Sequence, residues 1–415
     1  MVLALVPSTA GAAGDPLRAE QWNLDAINAD AAHAVSIGTG ALVAVIDSGV
    51  QGSHPDLAGN VIDGPDFIEG DATPNDQNGH GTNVAGIIVA RKGNGLGIEG
   101  AAPGAKALAI RVLDAGNRGN TEQEAAGIDA AVAAGAQVIN LSLSAGPNVV
   151  TQLLPSDRLV QAIERAANAG IVVVAAAGND GVPLCAQPLL AQKILCVGAI
   201  NRARTRSSYS NYAVRVDLVA PGGETRAGEA IQSAQLGGGF SAMAGTSQAT
   251  PHVAAAAALL VSLGLRGRAV IDRLEQTATD LGNATLLGRG LLNMGAAVAG
   301  LGPPLDPSAQ APTPARSALS ARAPRRVRFS TLRRRGLPVT CTSPQPRSCS
   351  ARVTSRGRVL ATGSRRVAAG VPTTVRATLT SAGRRAIAGK RRIAARISVS
   401  ARGAPTVRLT STLTT

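Results

Sequence analysis

Aromatic side chains are scarce in this chain, which has three Phe, two Tyr and one Trp among 415 residues. A hydrophobic core must therefore be built mainly from Ala, Val, Leu and Ile. No apolar run reaches the roughly 20 residues of a membrane-spanning helix, so the sequence predicts no transmembrane segment. The four cysteines lack C-x-x-C spacing and the four histidines do not cluster, which excludes a recognisable zinc motif.

Acidic residues are missing from the last quarter of the chain. Residues 311–415 contain no Asp or Glu but 22 Arg and one Lys, a formal charge of +23. Because the whole chain carries +15, residues 1–310 carry the difference, −8. The acidic part is long enough for one large domain with a buried core.

Apolar runs of strand length alternate with helix-like segments through the acidic part. The predicted strands are residues 41–46, 107–112, 138–143, 171–176, 195–200 and 216–220. The predicted helices are residues 81–90, 121–134, 156–169 and 247–263. This alternation is typical of parallel β-α units whose sheet is covered on both faces, so the predicted fold class is α/β.

Three short motifs supply an acid, a base and a nucleophile. Asp47 lies in the sequence AVIDSG, His80 in NGHGT and Ser247 in GTSQATP. A serine hydroxyl becomes a good nucleophile when an imidazole accepts its proton, and a carboxylate fixes the tautomer of that imidazole. The chain order Asp, His, Ser differs from that of chymotrypsin-like enzymes and of α/β-hydrolases. Either of the first two motifs alone would more often be a turn or a loop, so their joint occurrence carries the argument.

A fourth motif, AAAGND at residues 175–180, completes a family pattern. Across residues 20–298 the chain resembles the subtilase family of subtilisin-like serine endopeptidases. The resemblance implies a subtilisin-like parallel sheet flanked by helices, and hydrolysis of peptide bonds in protein or peptide substrates through an acyl-enzyme. It assigns the catalytic triad to the three residues above and one oxyanion donor to Asn179, and it implies no catalytic cofactor. The second oxyanion donor would be the backbone N–H of Ser247.

Structural roles are expected for one proline and for the three histidines outside the triad. Pro251 is predicted to lie in the first turn of the helix that Ser247 begins, where a missing N–H costs little. The remaining histidines, His33, His54 and His252, are expected to have structural roles.

The resemblance also assigns a substrate groove. Segment 140–144 matches the wall of the specificity pocket and segment 116–120 the facing edge, so a peptide would add a strand between them. The implied groove residues are Ser142, Leu143, Ser144, Ala177, Gly178, Gly116 and Gly119. Small side chains at 176–178 leave room for an apolar P1 residue, although Ser144 stands where many relatives have glycine. Leu141 and Leu143 fit a strand core equally well.

A structural calcium site is the next implication of the resemblance. Asp56 and the loop residues Asn94, Leu96 and Ile98 resemble the family's high-affinity site, in which carboxylate, amide and carbonyl oxygens surround the ion. The sequence GNG in this loop is equally compatible with an ordinary turn.

The cysteines form two close pairs in the sequence, Cys185 with Cys196 and Cys341 with Cys349. Three connectivities are possible for four cysteines, and we expect the local one. Free buried thiols are the alternative for the first pair. An even number of cysteines is compatible with an oxidising compartment.

Composition divides the chain into four segments. Residues 1–14 resemble the end of a secretory signal, and residues 15–302 are predicted to form the peptidase domain. Residues 303–324 read as a linker rich in Pro, Ala and Ser, and residues 325–415 as an arginine-rich, β-sandwich-like domain. The expected protein is a secreted or cell-surface monomer.

The arginine-rich domain favours an anionic cell-surface polymer as a partner. Nucleic acid is an unlikely partner, because Phe329 is the only aromatic residue there that could stack on a base. An arginine-rich surface without a ligand is the plainer alternative. The competing functions are those of a binding protein with a silent cleft, of an esterase and of a peptide ligase.

Overall fold

The computed structural model describes residues 14–143, 157–186, 194–302, 320–324, 326–342, 347–356, 358–367, 373–401 and 407–414. These residues separate into two compact units, and the boundary along the chain falls after residue 311. Ser144, most of the predicted signal remnant and most of the predicted linker lie outside the described residues. In the described part of the chain, we find no helix that combines the length and the apolar character needed to cross a bilayer.

A seven-stranded parallel sheet forms the centre of the first unit. Its strands are β1 (Leu42–Asp47), β2 (Val61–Asp66), β3 (Lys106–Arg111), β4 (Val138–Leu141), β5 (Val172–Ala176), β6 (Ile194–Ile200) and β7 (Leu218–Pro221). The strand order is β2-β3-β1-β4-β5-β6-β7. The prediction of an α/β fold is confirmed, and the six predicted strands lie within two residues of their observed bounds. Strand β2 is missing from the prediction because Gly64 and Pro65 interrupt its apolar pattern.

Helices cover both faces of this sheet. They are α1 (Trp22–Ala26), α2 (Ala29–His33), α3 (His80–Val89), α4 (Thr121–Ala134), α5 (Asp157–Asn168), α6 (Thr246–Ser262), α7 (Arg268–Gln276), α8 (Ala284–Leu287) and α9 (Met294–Val298), with a 3-10 turn at Arg18–Glu20. Alternate residues of β1 show the two layers: Val43 and Val45 belong to a core with α3 and α6, whereas Ala44 and Ile46 belong to a core with α4 and α5. Alternation along a strand thus sends its side chains into two separate cores.

Helix α6 is almost completely buried. Five consecutive alanines, residues 254–258, let neighbouring elements approach this helix from all sides. An antiparallel hairpin of β8 (Ile231–Gln235) and β9 (Gly239–Met243) leads directly into it. The start of α6 is therefore held in place by both the hairpin and the core.

The second unit is all-β with two short helices. Its strands are β10 (Ser320–Arg322), β11 (Arg326–Arg328), β12 (Leu337–Thr342), β13 (Arg347–Ser355), β14 (Arg358–Val367), β15 (Thr373–Leu379), β16 (Arg392–Ala401) and β17 (Val407–Thr414), and its helices are α10 (Phe329–Arg335) and α11 (Ser381–Ile387). The strands form one hydrogen-bonded sheet in the order β10-β12-β15-β14-β13-β16-β17-β11. The prediction of a separate all-β sheet is confirmed.

Both predicted disulfides are formed. Cys185 is bonded to Cys196, and Cys341 to Cys349. Strands β12 and β13, which carry the second pair, are separated by β15 and β14 in the sheet. In a flat sheet three strand spacings would hold them about 14 Å apart, yet the Cα atoms of Cys341 and Cys349 are 6.8 Å apart. The sheet therefore curls around its buried face, which gives it a sandwich-like core.

Candidate active site

A cleft of about 870 Å³ opens at the carboxyl ends of the central strands. Its lining includes His80, Ser142, Leu143, Asn179 and Ser247. In a parallel sheet, strand ends and the helix starts that follow them meet along one edge, so residues distant in the sequence converge there. The structure thus brings members of three sequence motifs to one cleft.

Asp47 and His80 form a direct hydrogen bond. His80 Nδ1 donates to Asp47 Oδ1 over 2.7 Å, and the Ser48 N–H donates to the same oxygen. Asp47 is the last residue of β1 and is fully buried, whereas His80 begins α3. A Cβ on Gly81 would lie 2.1 Å from the Gly49 carbonyl oxygen, so glycine is what lets α3 approach the end of β1 this closely. This explains the glycine that follows His80 in the motif.

Asp76 holds the start of α3 in place, a role that the sequence analysis missed. Its Oδ1 accepts from Ser48 Oγ at 2.9 Å and from the Gly79 N–H at 2.8 Å. Its Oδ2 accepts from both the N–H and the hydroxyl of Thr82. One carboxylate therefore joins the residue after Asp47 to the turn that carries His80.

These charges set the titration of His80. Burial lowers the pKa of His80, but the charge and hydrogen bond of Asp47 and the charge of Asp76 outweigh it, so the net pKa is raised above 6.5. A raised pKa makes the imidazole a stronger proton acceptor in its neutral form.

Ser247 is the second residue of α6, so its N–H has no partner inside the helix. Its hydroxyl donates to the Ser142 carbonyl over 3.1 Å, and Ser142 Oγ donates to the Ser247 carbonyl over 2.8 Å. Pro251 explains the second bond. It is the sixth helical residue, so its placement in the first turn was wrong, and its missing N–H frees the Ser247 carbonyl for Ser142.

Asn179 lies beside the start of α6 and is exposed to the cleft. Its Oδ1 accepts from the N–H and the hydroxyl of Thr246, at 2.9 and 3.0 Å. Both bonds use the amide oxygen, so they fix the orientation of the amide group and leave Nδ2 as its donor.

Comparisons with known proteins identify the family of this chain. Residues 38–290 match the model of the Subtilase family. The chain belongs to the subtilase family. It is 39% identical to thermitase of Thermoactinomyces vulgaris over an alignment of 274 residues. That alignment covers 66% of this chain and 94% of thermitase. Over 256 residues it is 42% identical to a thermophilic serine proteinase of Bacillus sp. (strain AK1), which covers 61% of each chain. The solved structure of a protease from Pseudoalteromonas arctica PAMC 21717 matches with a TM-score of 0.63 at 29% identity, over 70% of this chain and 99% of that one.

The predicted groove residues of this subtilase fall into three groups. Ser142, Leu143 and Gly119 line the cleft. Gly116 lies in the adjoining turn, where its N–H donates to Asp114 Oδ1. Ala176 is part of the lining, whereas Ala177 and Gly178 are buried behind it.

Three of the predicted calcium residues, Asn94, Leu96 and Ile98, lie in one loop, and the fourth, Asp56, is hydrogen-bonded to that loop. Asp56 is fully buried, and its two carboxylate oxygens accept from Asn94 Nδ2 and from the Ile98 N–H. Asp15, which sequence reasoning did not assign, accepts from three successive N–H groups at residues 93–95 of the same loop. Burial and the charge of Asp15 raise the pKa of Asp56 despite these hydrogen bonds. Two carboxylates, one amide and the loop carbonyls are oxygen donors of the kind that Ca²⁺ prefers, so the residues fit the ion.

Two of the other histidines are placed in the core. His252 Nδ1 bonds to the Gln248 carbonyl and Nε2 to Asn23, and burial lowers the pKa of His252 to about 4. His54 bonds through Nε2 to the Gly239 carbonyl. His33 bonds to the Ala101 carbonyl and to Glu99. None of the three lines the cleft.

Proposed function

We propose that this chain is a secreted serine endopeptidase that cleaves peptide bonds with Asp47, His80 and Ser247. The observation that carries the proposal is the 2.7 Å bond between Asp47 and His80 in the cleft that also holds Ser247 and Asn179. Two disulfides in the described residues support an extracellular location.

The reaction follows from these positions. The Ser247 hydroxyl turns from the Ser142 carbonyl to His80 and attacks the scissile carbonyl carbon while His80 takes its proton. The tetrahedral oxyanion receives hydrogen bonds from Asn179 Nδ2 and the Ser247 N–H. His80 then gives its proton to the leaving amine, which departs and leaves an acyl-enzyme. Water, deprotonated by His80, hydrolyses that ester and restores the Ser247 hydroxyl.

Asp47 stabilises the positive charge that His80 carries in both steps. The bond at Nδ1 also keeps Nε2 as the basic nitrogen, the atom that would take the proton of Ser247 in this mechanism. Ser142, Leu143 and Gly119, which line the cleft, would hold the substrate as an extended peptide. We propose an apolar P1 preference with broad specificity elsewhere.

A fluorophosphonate probe tests the proposal on the full chain. We expect one covalent label, located on Ser247 by peptide mapping, and a labelling rate that falls when a peptide substrate competes. A folded chain that takes up no label would contradict the proposal and would leave a binding protein with a silent cleft.

We also propose that the loop with Asp56, Asn94, Leu96 and Ile98 binds a structural Ca²⁺. An ion that binds only the folded state raises stability in proportion to the logarithm of its concentration. We expect millimolar Ca²⁺ to raise the melting temperature by several degrees, and Asp56→Asn to remove most of that increase. The matched control is Asp63→Asn in β2, which lies outside the loop. An equal Ca²⁺ response in all three proteins would contradict this assignment.

The second unit is proposed to bind an anionic cell-surface polymer. Its outward face carries exposed arginines among hydroxyl side chains: Arg352 pairs across strands with Thr362 and Ser398, and Arg396 with Thr354 and Thr410. No carboxylate side chain occurs in residues 311–415, so these guanidinium groups have no acidic partner in their own unit. Arginine pairs well with phosphate and carboxylate groups because its donors form a fork.

Retention on immobilised teichoic acid measures this binding. We expect the variant Arg352→Gln, Arg366→Gln, Arg376→Gln, Arg396→Gln to elute at about half the salt concentration that the parent requires. The control removes the same charge elsewhere, through Arg333→Gln and Arg334→Gln in α10 together with Arg384→Gln and Arg385→Gln in α11. Equal elution of both variants would show that net charge, rather than this face, holds the polymer.

A further inference from the structure

Glu124 lines the substrate cleft but has no role in the chemistry above. It is the fourth residue of α4 and shares the cleft with His80, Asn179 and Ser247. Its side chain is partly exposed. Among the described residues that line the cleft, it is the only one with a carboxylate.

The start of α4 does not need Glu124 as a cap. Asn120 Oδ1 accepts from the Gln123 N–H at 2.9 Å, and Gln123 Oε1 accepts from the Asn120 N–H at 3.1 Å. This reciprocal pair is a complete capping box. The carboxylate one residue later is therefore free to serve the cleft.

Glu124 has no cationic partner within the described residues. Arg118 and His80 also line the cleft, yet neither forms an ion pair with Glu124. Glu122, two residues earlier, is paired outside the cleft with Arg158 Nε at 2.9 Å. Although part of the residue is exposed, the surrounding protein desolvates its carboxyl group and raises the pKa of Glu124 to about 7. A cation bound next to Glu124 would stabilise the ionised carboxylate, which burial destabilises.

The cleft wall suits a long basic side chain. Leu113 and Leu143 line the same cleft as Glu124. The methylene groups of Lys or Arg pack well on such apolar surface while the charged end reaches an acidic group. A neutral apolar side chain would instead leave the carboxylate desolvated and unpaired.

We propose that Glu124 selects substrates with Lys or Arg at one position N-terminal to P1. The inference rests on the proposed function, since it requires a peptide held between segments 116–120 and 142–143. It adds a cationic requirement at a second subsite to an apolar P1 preference.

A peptide library with Leu fixed at P1 and variable P2, P3 and P4 residues tests the proposal on the full chain. For the parent we expect kcat/KM to be about 10-fold higher with Lys or Arg than with norleucine at one position. Glu124→Gln is expected to bring this ratio close to one, mainly by lowering kcat/KM for the Lys and Arg peptides. Glu122→Gln, a neutralisation two residues away outside the cleft, is the matched control and is expected to keep the ratio.

The pH dependence of the same ratio separates a charge effect from a shape effect. The ratio compares two substrates of one enzyme, so the titration of His80 cancels. We expect the ratio to rise between pH 6 and pH 8 as Glu124 ionises, and to stay flat in Glu124→Gln.

Fluorophosphonate labelling distinguishes the two ways of failing. A chain that labels normally but shows no cationic preference, or keeps the preference in Glu124→Gln, overturns this inference alone. A folded chain that neither labels nor cleaves overturns the proposed function, and the inference with it.

Discussion

Replacing Ser247 with alanine is expected to lower kcat/KM for peptide cleavage by about 10⁶-fold, the size known for the nucleophile of subtilisin itself. The variant retains the proposed oxyanion donors and the cleft but lacks the oxygen atom that would form the acyl-enzyme. Labelling by a fluorophosphonate should disappear completely. Steady-state cleavage of a chromogenic peptide, together with probe labelling, measures both losses.

The fold should survive this substitution. The Ser247 hydroxyl makes one hydrogen bond in the described structure, to the Ser142 carbonyl, and a single such bond contributes about 1 kcal/mol. Ser142→Ala is the control, because it removes the reciprocal hydroxyl and leaves the nucleophile. A contaminating serine protease in the Ser247→Ala preparation would reveal itself by taking up the fluorophosphonate label. If no such label is found, residual activity above one per cent would mean that another residue attacks the peptide.

The sequence predicted the architecture well because its signals are local. Buried parallel strands are continuous apolar runs, so β4, β5 and β6 were found close to their observed bounds. The catalytic motifs were found because each combines a reactive side chain with small neighbours that the geometry needs. Gly81 shows why: a larger residue there would collide with the Gly49 carbonyl.

The features that the sequence did not reveal depend on partners distant along the chain. Asp76 acts through Ser48 and Thr82, and its own sequence context resembles an ordinary polar loop. The role of Pro251 becomes clear only when Ser142 is seen to donate to the Ser247 carbonyl. The sequence analysis did not single out Glu124, because helical periodicity does not indicate which polar residue of a helix lines a cleft.

The curl of the second unit was likewise beyond sequence periodicity. Alternation in β12 and β13 correctly identifies one buried face. It cannot indicate that strands three positions apart in the sheet approach each other, as the Cys341–Cys349 bond shows that they do.

Asp47→Asn is expected to reduce kcat/KM by about 10⁴-fold while leaving the fold intact, the magnitude found when the triad Asp of a serine protease is replaced. The Ser48 N–H and His80 both bond to Oδ1, so an amide oxygen can take that place. The Oδ2 atom, buried without a hydrogen-bond partner in the described structure, would become the amide nitrogen. The substitution therefore removes the charge that stabilises the imidazolium of His80 and keeps the side-chain volume.

The pH profile of kcat/KM tests whether the missing charge of Asp47 causes this loss of activity. The proposed mechanism requires neutral His80, so kcat/KM of the parent should fall as the pH drops through the pKa of His80, which is raised above 6.5. Without the Asp47 charge the pKa of His80 falls, and the acidic limb of the profile should move to lower pH. The move is partial, because the negative charge of Asp76 still raises the pKa of His80. Measuring kcat/KM from pH 5 to pH 9 for both proteins decides the point: a limb that stays in place would show that Asp47 orients His80 without controlling its pKa.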